Sequence, residues 1–366
     1  MPEKFATVSA TRVYFDSHFV HADKLRHFGD LSVSALAVGT YLGASDDATD
    51  HLYENALVQA GLSGVNFFDT AINYRCQRSE RNIGYAVKKL AAHGVYRDQI
   101  FISTKGGFLP ADTHAEDYEN TIYKCYLNTG ILSPDDIVDN CHCMTPKFLQ
   151  SQIDLSLKNL KETTIDLYHL HNPEIQLSEV GQEEFYRRLT LVFDLFEKNV
   201  ADGKIKSYGL ATWNGFRQAP GTVDLLDLQR VISCACVAGG ANHHFKAIQL
   251  PYNLVMLEAV GVQNQKVDGE IFPAIAAAAY HGLAVFISAP LVQSQVIKMP
   301  AHILQALPGS GNAVYKALQF VVSSPGVTSA MVGMKNVEHV MENLEVLAQP
   351  NWSVADLQKS SQLLVR

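Results

Sequence analysis

Short apolar runs rich in Val, Ile and Phe alternate along this chain with longer segments whose apolar residues recur at helical spacing. The runs are continuously apolar rather than alternating with polar residues, which is typical of strands covered on both faces. Eight of these runs are predicted as strands: Ala37–Leu42, Asn66–Ala71, Ile100–Lys105, Ile165–His171, Lys206–Thr212, Ala247–Tyr252, Ala284–Ala289 and Ser329–Gly333.

Helical patterns follow the strands, and some begin with a local signal. Thr145-Pro146, for example, places an N-cap residue before a proline, and apolar residues follow at helical spacing. A strand followed by a helix eight times predicts an α/β protein with a (β/α)₈ TIM barrel. A doubly wound open sheet is the alternative. The helices are predicted to begin near Asp46, Glu80, Thr145, Gln182, Val223, Asp268, Gly311 and Asn336.

The chain is longer than a minimal barrel requires. We expect a single domain over residues 1–366, with a core of about 30–347, an N-terminal hairpin and an extra C-terminal helix over Val354–Val365. About forty residues, Gly106–Met144, separate the third strand from the next helix, and loops of this length are usually functional or disordered. This loop would leave the barrel at its catalytic face. It is predicted to pack as a lid through Phe108, Tyr118, Tyr123, Tyr126 and Ile131.

The composition excludes some classes of protein. Of the 366 residues, 47% are hydrophobic and 18% are charged, whereas about 25% are charged in an average globular chain. Such a chain buries a large core, which excludes an extended disordered protein. Its net charge of −8 argues against a nucleic-acid partner, because binding phosphates requires a surplus of Lys and Arg.

Localisation is predicted from the apolar segments. Residues 1–20 lack the apolar run and the cleavage site of a secretory signal. The most membrane-like stretch, Ile271–Val292, contains Pro273 and divides at Gly282 into a helix and a strand, so we do not expect it to span a bilayer. We expect a cytoplasmic protein without a membrane partner, and the oligomeric state stays open.

Six cysteines are too few for a disulfide scaffold in a chain of this length. Cys141 and Cys143 flank His142, and Cys234 and Cys236 form a second pair with the same spacing. Structural zinc sites usually space their thiols more widely. We therefore expect free thiols and no metal.

Ionisable residues stand at the predicted ends of three consecutive strands. Asp69 and Tyr74 follow the second strand, Lys105 ends the third and His171 ends the fourth. Each residue alone is compatible with a structural role, such as a cap, a solvated lysine or a rim aromatic. Because catalytic side chains project from strand ends in a barrel, their joint occurrence predicts one shared site.

The motifs that contain these residues resemble the aldo-keto reductase superfamily. Asp69 and Tyr74 match its D-x₄-Y signature, and Lys105 ends its T-K element. Residues 166–173 match its D-L-Y-x-x-H-x-P element, which places the family histidine at His171. The motifs occur in order, each at the end of its own strand. The resemblance implies an NADP-dependent oxidoreductase.

The chemistry of that family gives each residue a role. A carbonyl that accepts a hydride develops negative charge on its oxygen, so a proton donor must lie about 3 Å away. A free phenol, with a pKa near 10, is a poor donor at neutral pH, and a nearby ammonium lowers that pKa. Tyr74 would therefore be the general acid and Lys105 would lower its pKa. Asp69 would hold Lys105 charged, and His171 would orient the carbonyl.

The resemblance also implies where a cofactor would bind. No G-x-G-x-x-G motif follows the first strand, so a Rossmann site is not expected. The family instead binds its nicotinamide cofactor over the barrel mouth. Gln249 would contact the carboxamide, and a phosphate would lie near the helix that Asn336 caps. The implied cofactor residues are Gly39, Thr40, Thr212, Gln249, Pro290, Leu291, Gly333, Lys335, Asn336, His339, Glu342 and Asn343.

Several positions depart from the family pattern. Ala211-Thr212 stands where a Ser-Asn pair is usual, and Ser288 stands where an aromatic side chain would stack on the nicotinamide. His339 replaces a common arginine and is a weaker phosphate partner near neutral pH. Lys335 supplies a positive charge for a 2′-phosphate, although as a point charge. NADPH is the expected cofactor, and NADH is possible.

The substrate site is expected at the same mouth, with Tyr41 and Trp213 among its residues. Three functions remain open. The first is an NADPH-dependent reductase of aldehydes or ketones, and the second is a sugar dehydrogenase that runs the same chemistry oxidatively. The third is a cofactor-binding regulatory subunit, as potassium-channel beta subunits resemble this family. Small carbonyl or sugar molecules are the expected partners.

Overall fold

Eight of the strands form a closed barrel in this computed structural model, which describes residues 5–112, 122–293 and 295–364. The barrel strands are parallel, and the other strands form two antiparallel hairpins. In chain order the strands are β1 (Leu25–Phe28), β2 (Leu31–Ser34), β3 (Leu36–Gly39), β4 (Phe67–Asp69), β5 (Phe101–Gly106), β6 (Ile165–His171), β7 (Ile205–Ala211), β8 (Phe245–Pro251), β9 (Gln265–Val267), β10 (Glu270–Phe272), β11 (Ala284–Ser288) and β12 (Ser329–Gly333).

The prediction of a (β/α)₈ barrel is confirmed. Strands β3 to β8 lie side by side in chain order, and β11 and β12 complete the circle between β8 and β3. The closing contact pairs Val332 with Val38, so the open doubly wound sheet is wrong. All eight predicted strands are present, and β6 begins and ends at the predicted residues.

Helices follow the barrel strands, and two start differently from the prediction. The helix expected near Val223 begins at Leu228, because the Asp227 side chain caps it by accepting a hydrogen bond from Arg230 N at 3.1 Å. The helix expected near Asp268 begins at Ala274, because Asp268 lies in the turn of the β9–β10 hairpin with a φ of 49°. The helices are Val8–Asp16, Asp47–Gly61, Arg78–Ala92, Pro146–Leu160, Gln182–Ala201, Leu228–Gly239, Glu258–Gly261, Ala274–Tyr280, Ala301–Ala306, Ala313–Ser323, Val337–Leu344 and Val354–Leu364.

Aromatic side chains fill the interior of the barrel. Phe67, Phe101 and Phe286 point inward from β4, β5 and β11, and the Phe67 ring lies 4.8 and 5.0 Å from the other two. Phe28, at the end of β1, packs on Phe101 at 4.9 Å, so the N-terminal hairpin covers this end of the core. Because side chains alternate along a strand, Asp69 shares the inward face of β4 with Phe67, one layer closer to the C-terminal mouth.

The long loop after β5 packs against the barrel in the part that the structure describes. An apolar cluster includes Tyr126 and the helix residue Phe148, whose rings lie 5.2 Å apart. Phe108 lies at the barrel mouth. Tyr118 and the side chain of Tyr123, also expected in this packing, lie outside the described residues.

None of the described helices combines the length and the apolar character that crossing a bilayer requires. The described residues also contain no group of three or more His, Cys, Asp or Glu side chains placed to hold a metal ion.

Candidate active site

A cavity of about 490 Å³ opens at the C-terminal ends of the barrel strands. The four predicted catalytic residues meet there, although they come from three separate strands and one connecting segment. Tyr41 and Trp213 lie at its rim, with 56% and 36% of their surface exposed. The predicted residues that line the cavity are Gly39, Thr40, Tyr41, Asp69, Tyr74, Lys105, His171, Thr212, Trp213, Gln249, Pro290, Leu291 and Gly333.

A buried ion pair lies at the floor of the cavity. The Lys105 ammonium donates to both carboxylate oxygens of Asp69, at 2.8 and 2.7 Å, and to the Thr70 carbonyl at 2.6 Å. An ammonium has three donors, and these three acceptors use all of them. Ser103 Oγ donates to the same carboxylate. The expectation that Asp69 holds Lys105 therefore agrees with this geometry.

Tyr74 lies over this ion pair without a hydrogen bond from Lys105. The Lys105 Nζ atom is 5.2 Å from the centre of the Tyr74 ring. Burial, and then the charge of Asp69, raise the pKa of the Tyr74 phenol well above its ordinary value of 10. This is opposite to the expected lowering by Lys105, because desolvation disfavours the phenolate and the Asp69 carboxylate repels it. Without substrate, Tyr74 is therefore a protonated phenol.

His171 completes the group as a neutral imidazole. Its ring lies 5.7 Å from the Tyr74 ring at an angle of 75°. Burial, and next the charge of Lys105, hold the pKa of His171 well below 6.5, so it carries one N–H and no charge. His169, two residues earlier, is fully buried inside the barrel and faces Phe286 at 6.4 Å. The family motif and the structure agree that His171, and not His169, lines the cavity.

His142, on the long loop after β5, supports His171 from behind. It is fully buried and its Nε2 atom lies 2.7 Å from the His171 carbonyl oxygen, while Gln176 Nε2 lies 3.0 Å from its Nδ1. Burial lowers the pKa of His142 to about 4. A neutral ring that accepts from Gln176 at Nδ1 must donate from Nε2, so this hydrogen bond attaches the loop to the end of β6.

No motif or periodicity predicts this role, since His142 is marked in the sequence only by its position between Cys141 and Cys143. The Phe108 ring stands edge-on to both histidines, 5.4 Å from His142 and 4.9 Å from His171. Cys141 and Cys143 are free thiols, the first half-buried and the second buried. The loop therefore packs directly on a predicted catalytic side chain.

Glu174 holds the segment that contains Trp213, a role that the sequence motifs do not predict. Its Oε1 atom accepts hydrogen bonds from the backbone N–H groups of Trp213, Asn214 and Gly215, at 2.7, 2.9 and 3.3 Å. The carboxyl is buried. Its position one residue after the D-L-Y-x-x-H-x-P element is the only signal in the sequence.

Two features of the mouth fit a nicotinamide dinucleotide. Gln249 Oε1 is buried and has no hydrogen-bond partner in the described part of the chain, so it offers an acceptor to a carboxamide N–H. After β11, Ala289, Val292 and Gln293 adopt left-handed φ values of 49°, 52° and 50°. Left-handed residues of this kind occur in the turns that form anion-binding concavities.

The remaining predicted cofactor residues lie outside the cavity, around the helix Val337–Leu344. Lys335 Nζ lies beside the backbone of Gly43, which brings this lysine close to the loop after β3. Asn336 occupies the N-cap position of this helix, as predicted, and its side chain makes no capping hydrogen bond there. His339 and Glu342 are exposed, and Asn343 is buried.

A sequence model of the aldo/keto reductase family matches residues 35–284. This chain belongs to that family. The predicted resemblance is therefore confirmed, and the match runs from β3 to the start of β11, which includes all four predicted catalytic residues.

Two curated relatives of this aldo/keto reductase are similar over part of its length. A putative voltage-gated potassium channel subunit beta from Schizosaccharomyces pombe is 29% identical over 187 residues, 51% of this chain and 44% of the relative. A 6-dehydroglucose reductase from Novosphingobium aromaticivorans is 27% identical over 197 residues, 52% of this chain and 51% of the relative. The alignments span about half the length of these relatives.

Solved structures of aldo-keto reductases share the fold. A holo form from Bacillus halodurans has a TM-score of 0.65 at 17% identity, covering 93% of this chain and 96% of that one. An NADPH complex from Klebsiella pneumoniae has a TM-score of 0.63 at 20% identity, covering 94% and 96%. At these identities the likeness shows the fold alone.

The buried His142 predicts a loss of stability in mild acid. Its pKa of about 4 lies below the 6.5 of an unfolded histidine, so the unfolded chain binds a proton that the native state does not. The native state then becomes less stable as the pH falls through 6.5. From pH 7 to pH 5 this one group costs about 2 kcal/mol.

Urea unfolding at both pH values compares the wild type with His142→Gln, in which the amide N–H can still reach the His171 carbonyl. Because His169 and His171 titrate in both proteins, the difference isolates His142. We expect the free energy of unfolding of the variant to fall by about 2 kcal/mol less than that of the wild type. Equal losses in the two proteins would show that His142 does not stay neutral in the native state.

Proposed function

We propose that this aldo/keto reductase is an NADP(H)-dependent oxidoreductase acting on the carbonyl or alcohol group of a small molecule. The observation that carries the proposal is the Asp69–Lys105 ion pair directly below a protonated Tyr74, with neutral His171 beside it. The orphaned Gln249 oxygen and the left-handed loop after β11 support a dinucleotide at the same mouth.

The residues present fit the cofactor, and each would hold one part of it. Gln249 and Thr212 would bind the carboxamide, the loop with Pro290 and Leu291 the pyrophosphate, and Lys335 a 2′-phosphate. When bound, NADPH supplies the hydride. The cofactor would also contact the backbone of Gly39, Thr40 and Gly333 at the ends of β3 and β12. These two strands pair with each other through Gly333 and Gly39.

Proton transfer would take place at the Tyr74 hydroxyl. As negative charge develops on the substrate oxygen, the phenol donates its proton to that oxygen, because a developing alkoxide is a stronger base than a phenolate. Lys105 then stabilises the phenolate through space, which matters more after donation than before it. The single N–H of His171 would hold the carbonyl oxygen near Tyr74, as effective proximity requires.

A raised pKa of Tyr74 therefore fits the reductive direction. A phenol that stays protonated at neutral pH is always ready to donate, whereas oxidation of an alcohol needs the phenolate as a base. The alternative hypothesis of a sugar dehydrogenase predicts the opposite preference, for oxidation over reduction. The name of one relative, 6-dehydroglucose reductase, is compatible with a sugar-derived carbonyl and with reduction.

The cavity favours a neutral substrate. Lys105 is the one Lys or Arg among the described cavity-lining residues, and Asp69 neutralises it. The aromatic side chains of Tyr41, Phe108 and Trp213 line part of the opening, and Tyr41 packs on Tyr74 at 5.0 Å. A phosphorylated or acidic substrate would find no unpaired cation among these described residues. We infer an uncharged aldehyde, ketone or sugar carbonyl.

A regulatory subunit remains the second candidate, because one relative carries a channel-subunit name. A cofactor-binding protein that does not turn over has no need of a proton donor, yet Tyr74, Lys105, Asp69 and His171 all meet in this cavity. That observation favours the enzyme.

Replacement of Tyr74 by Phe tests the proposal. The ring is kept and the proton donor is lost, so we expect kcat to fall by about 10²- to 10⁴-fold. NADPH absorbance during a panel of neutral aldehydes, ketones and sugars measures turnover, and tight binding of NADPH to both proteins is the control for folding. Equal turnover in wild type and variant would refute the mechanism.

Cofactor choice is tested at Lys335. We expect NADPH to bind about tenfold or more tightly than NADH, because one charge-assisted contact to a phosphate is worth about 1.5–3 kcal/mol. Lys335→Met should remove most of this preference by weakening NADPH alone. Isothermal titration with both cofactors measures it, and a wild-type preference for NADH would sink the assignment of Lys335.

A further inference from the structure

The chain turns left-handed for three residues directly after Tyr74. Arg75, Cys76 and Gln77 have φ values of 48°, 54° and 69°, and none of them is glycine. Each left-handed residue other than Gly is strained and persists only when its surroundings enforce it. We call residues 75–77 the left-handed turn. It leads from Tyr74 into the helix Arg78–Ala92.

Arg75 supplies contacts that enforce this conformation. Its side chain is 1% exposed, and its guanidinium donates to the Ala44 carbonyl at 2.8 Å, to Asn82 Oδ1 at 2.7 Å and to Asp50 Oδ1 at 2.6 Å. The same group lies over the Tyr53 ring at 5.1 Å. Because the planar Arg75 guanidinium binds partners from three segments, the position of the Arg75 backbone is closely restricted.

Gln77 fixes the other end of the left-handed turn. It is buried, and its amide donates to the Ala111 carbonyl at 3.0 Å and accepts from Asn159 at 3.1 Å. Both ends of the turn are therefore attached to neighbouring segments. Tyr74 stands at the start of the turn, so the direction of its side chain depends on the turn.

The Arg75 contacts also reach the loop that carries Tyr41. Ala44 lies in this loop between β3 and the helix Asp47–Gly61, and Tyr53 donates to the Leu42 carbonyl in the same loop at 2.6 Å. Tyr41 in turn packs on Tyr74. Arg75 thus joins the segment of the predicted proton donor to the segment at the substrate rim.

We propose that Arg75 is a positioning residue that holds Tyr74 at the cavity by enforcing the left-handed turn. Arg75 is not among the described residues that line the cavity, and its effect on the reaction passes through the backbone at residue 75. The proposal rests on the proposed function for the role of Tyr74. The placement of the Tyr74 ring can be measured without turnover.

Two substitutions separate enforcement of the backbone from the charge. Arg75→Ala and Arg75→Gly both remove the guanidinium, but Gly adopts a left-handed φ readily and Ala does not. If Arg75 acts by enforcing the turn, Ala should lower kcat by about tenfold or more, and Gly should return it to within about threefold of the wild type. KM for the carbonyl should change little in both.

Arg78→Ala is the matched control. Arg78 pairs with Asp47 at 2.7 Å and with Asp50, so it belongs to the same ion network, yet it begins the helix and lies outside the left-handed turn. We expect this variant to keep the wild-type kcat, although its thermal stability falls. A fall in kcat equal to that of Arg75→Ala would assign the effect to the ion network and overturn the proposal.

A fluorine probe reads the position of Tyr74 directly. With 3-fluorotyrosine at position 74 of the full chain, we expect the ¹⁹F resonances of wild type and Arg75→Gly to coincide and that of Arg75→Ala to shift or broaden. Coincidence of all three resonances, or equal kcat in the Ala and Gly variants, would overturn the role of Arg75. A wild type that reduces no carbonyl would defeat the proposed function instead, and the resonances alone would then decide the proposal.

Discussion

The ion pair between Asp69 and Lys105 is the contact around which the mouth of this barrel is built. The side chains of Lys105 and Asp69 are only 1% and 4% exposed. Their opposite charges are stable there because each satisfies the other and the remaining Lys105 donor reaches the Thr70 carbonyl. That requirement fixes the ends of β4 and β5 relative to each other. Tyr74 then lies over the Asp69–Lys105 ion pair, as a protonated phenol beside a neutral His171.

The surroundings of this group hold it in place from several sides. His142 attaches the long loop to the His171 carbonyl, and Glu174 binds the backbone that carries Trp213. Arg75 attaches the turn after Tyr74 to the loop with Tyr41. These three supporting groups come from three different connections between strands and helices, so the cavity is shaped by loops that a rigid barrel brings together.

Much of the fold was predictable, because most barrel strands are short apolar runs between segments with helical spacing, as Ala284–Ser288 in β11 shows. The predicted catalytic residues were found because each follows such a run. The role of His142 was not predictable, since its contact joins residues 29 positions apart through a loop without periodicity. The left-handed turn at Arg75 was not predictable either, because it contains no glycine. The raised pKa of Tyr74 depends on desolvation, which only packing reveals.

In the proposed mechanism, the charge of Lys105 stabilises the phenolate that Tyr74 becomes on donating its proton. A double variant, Asp69→Asn with Lys105→Met, removes this charge and leaves no unpaired carboxylate. The direct measurement is the rate of a single turnover with NADPH and a carbonyl substrate both saturating. We expect a rate at least about 100-fold below that of the wild type, because the loss of one preorganised group that stabilises charge lowers a rate by about this factor. A rate within threefold of wild type would contradict it.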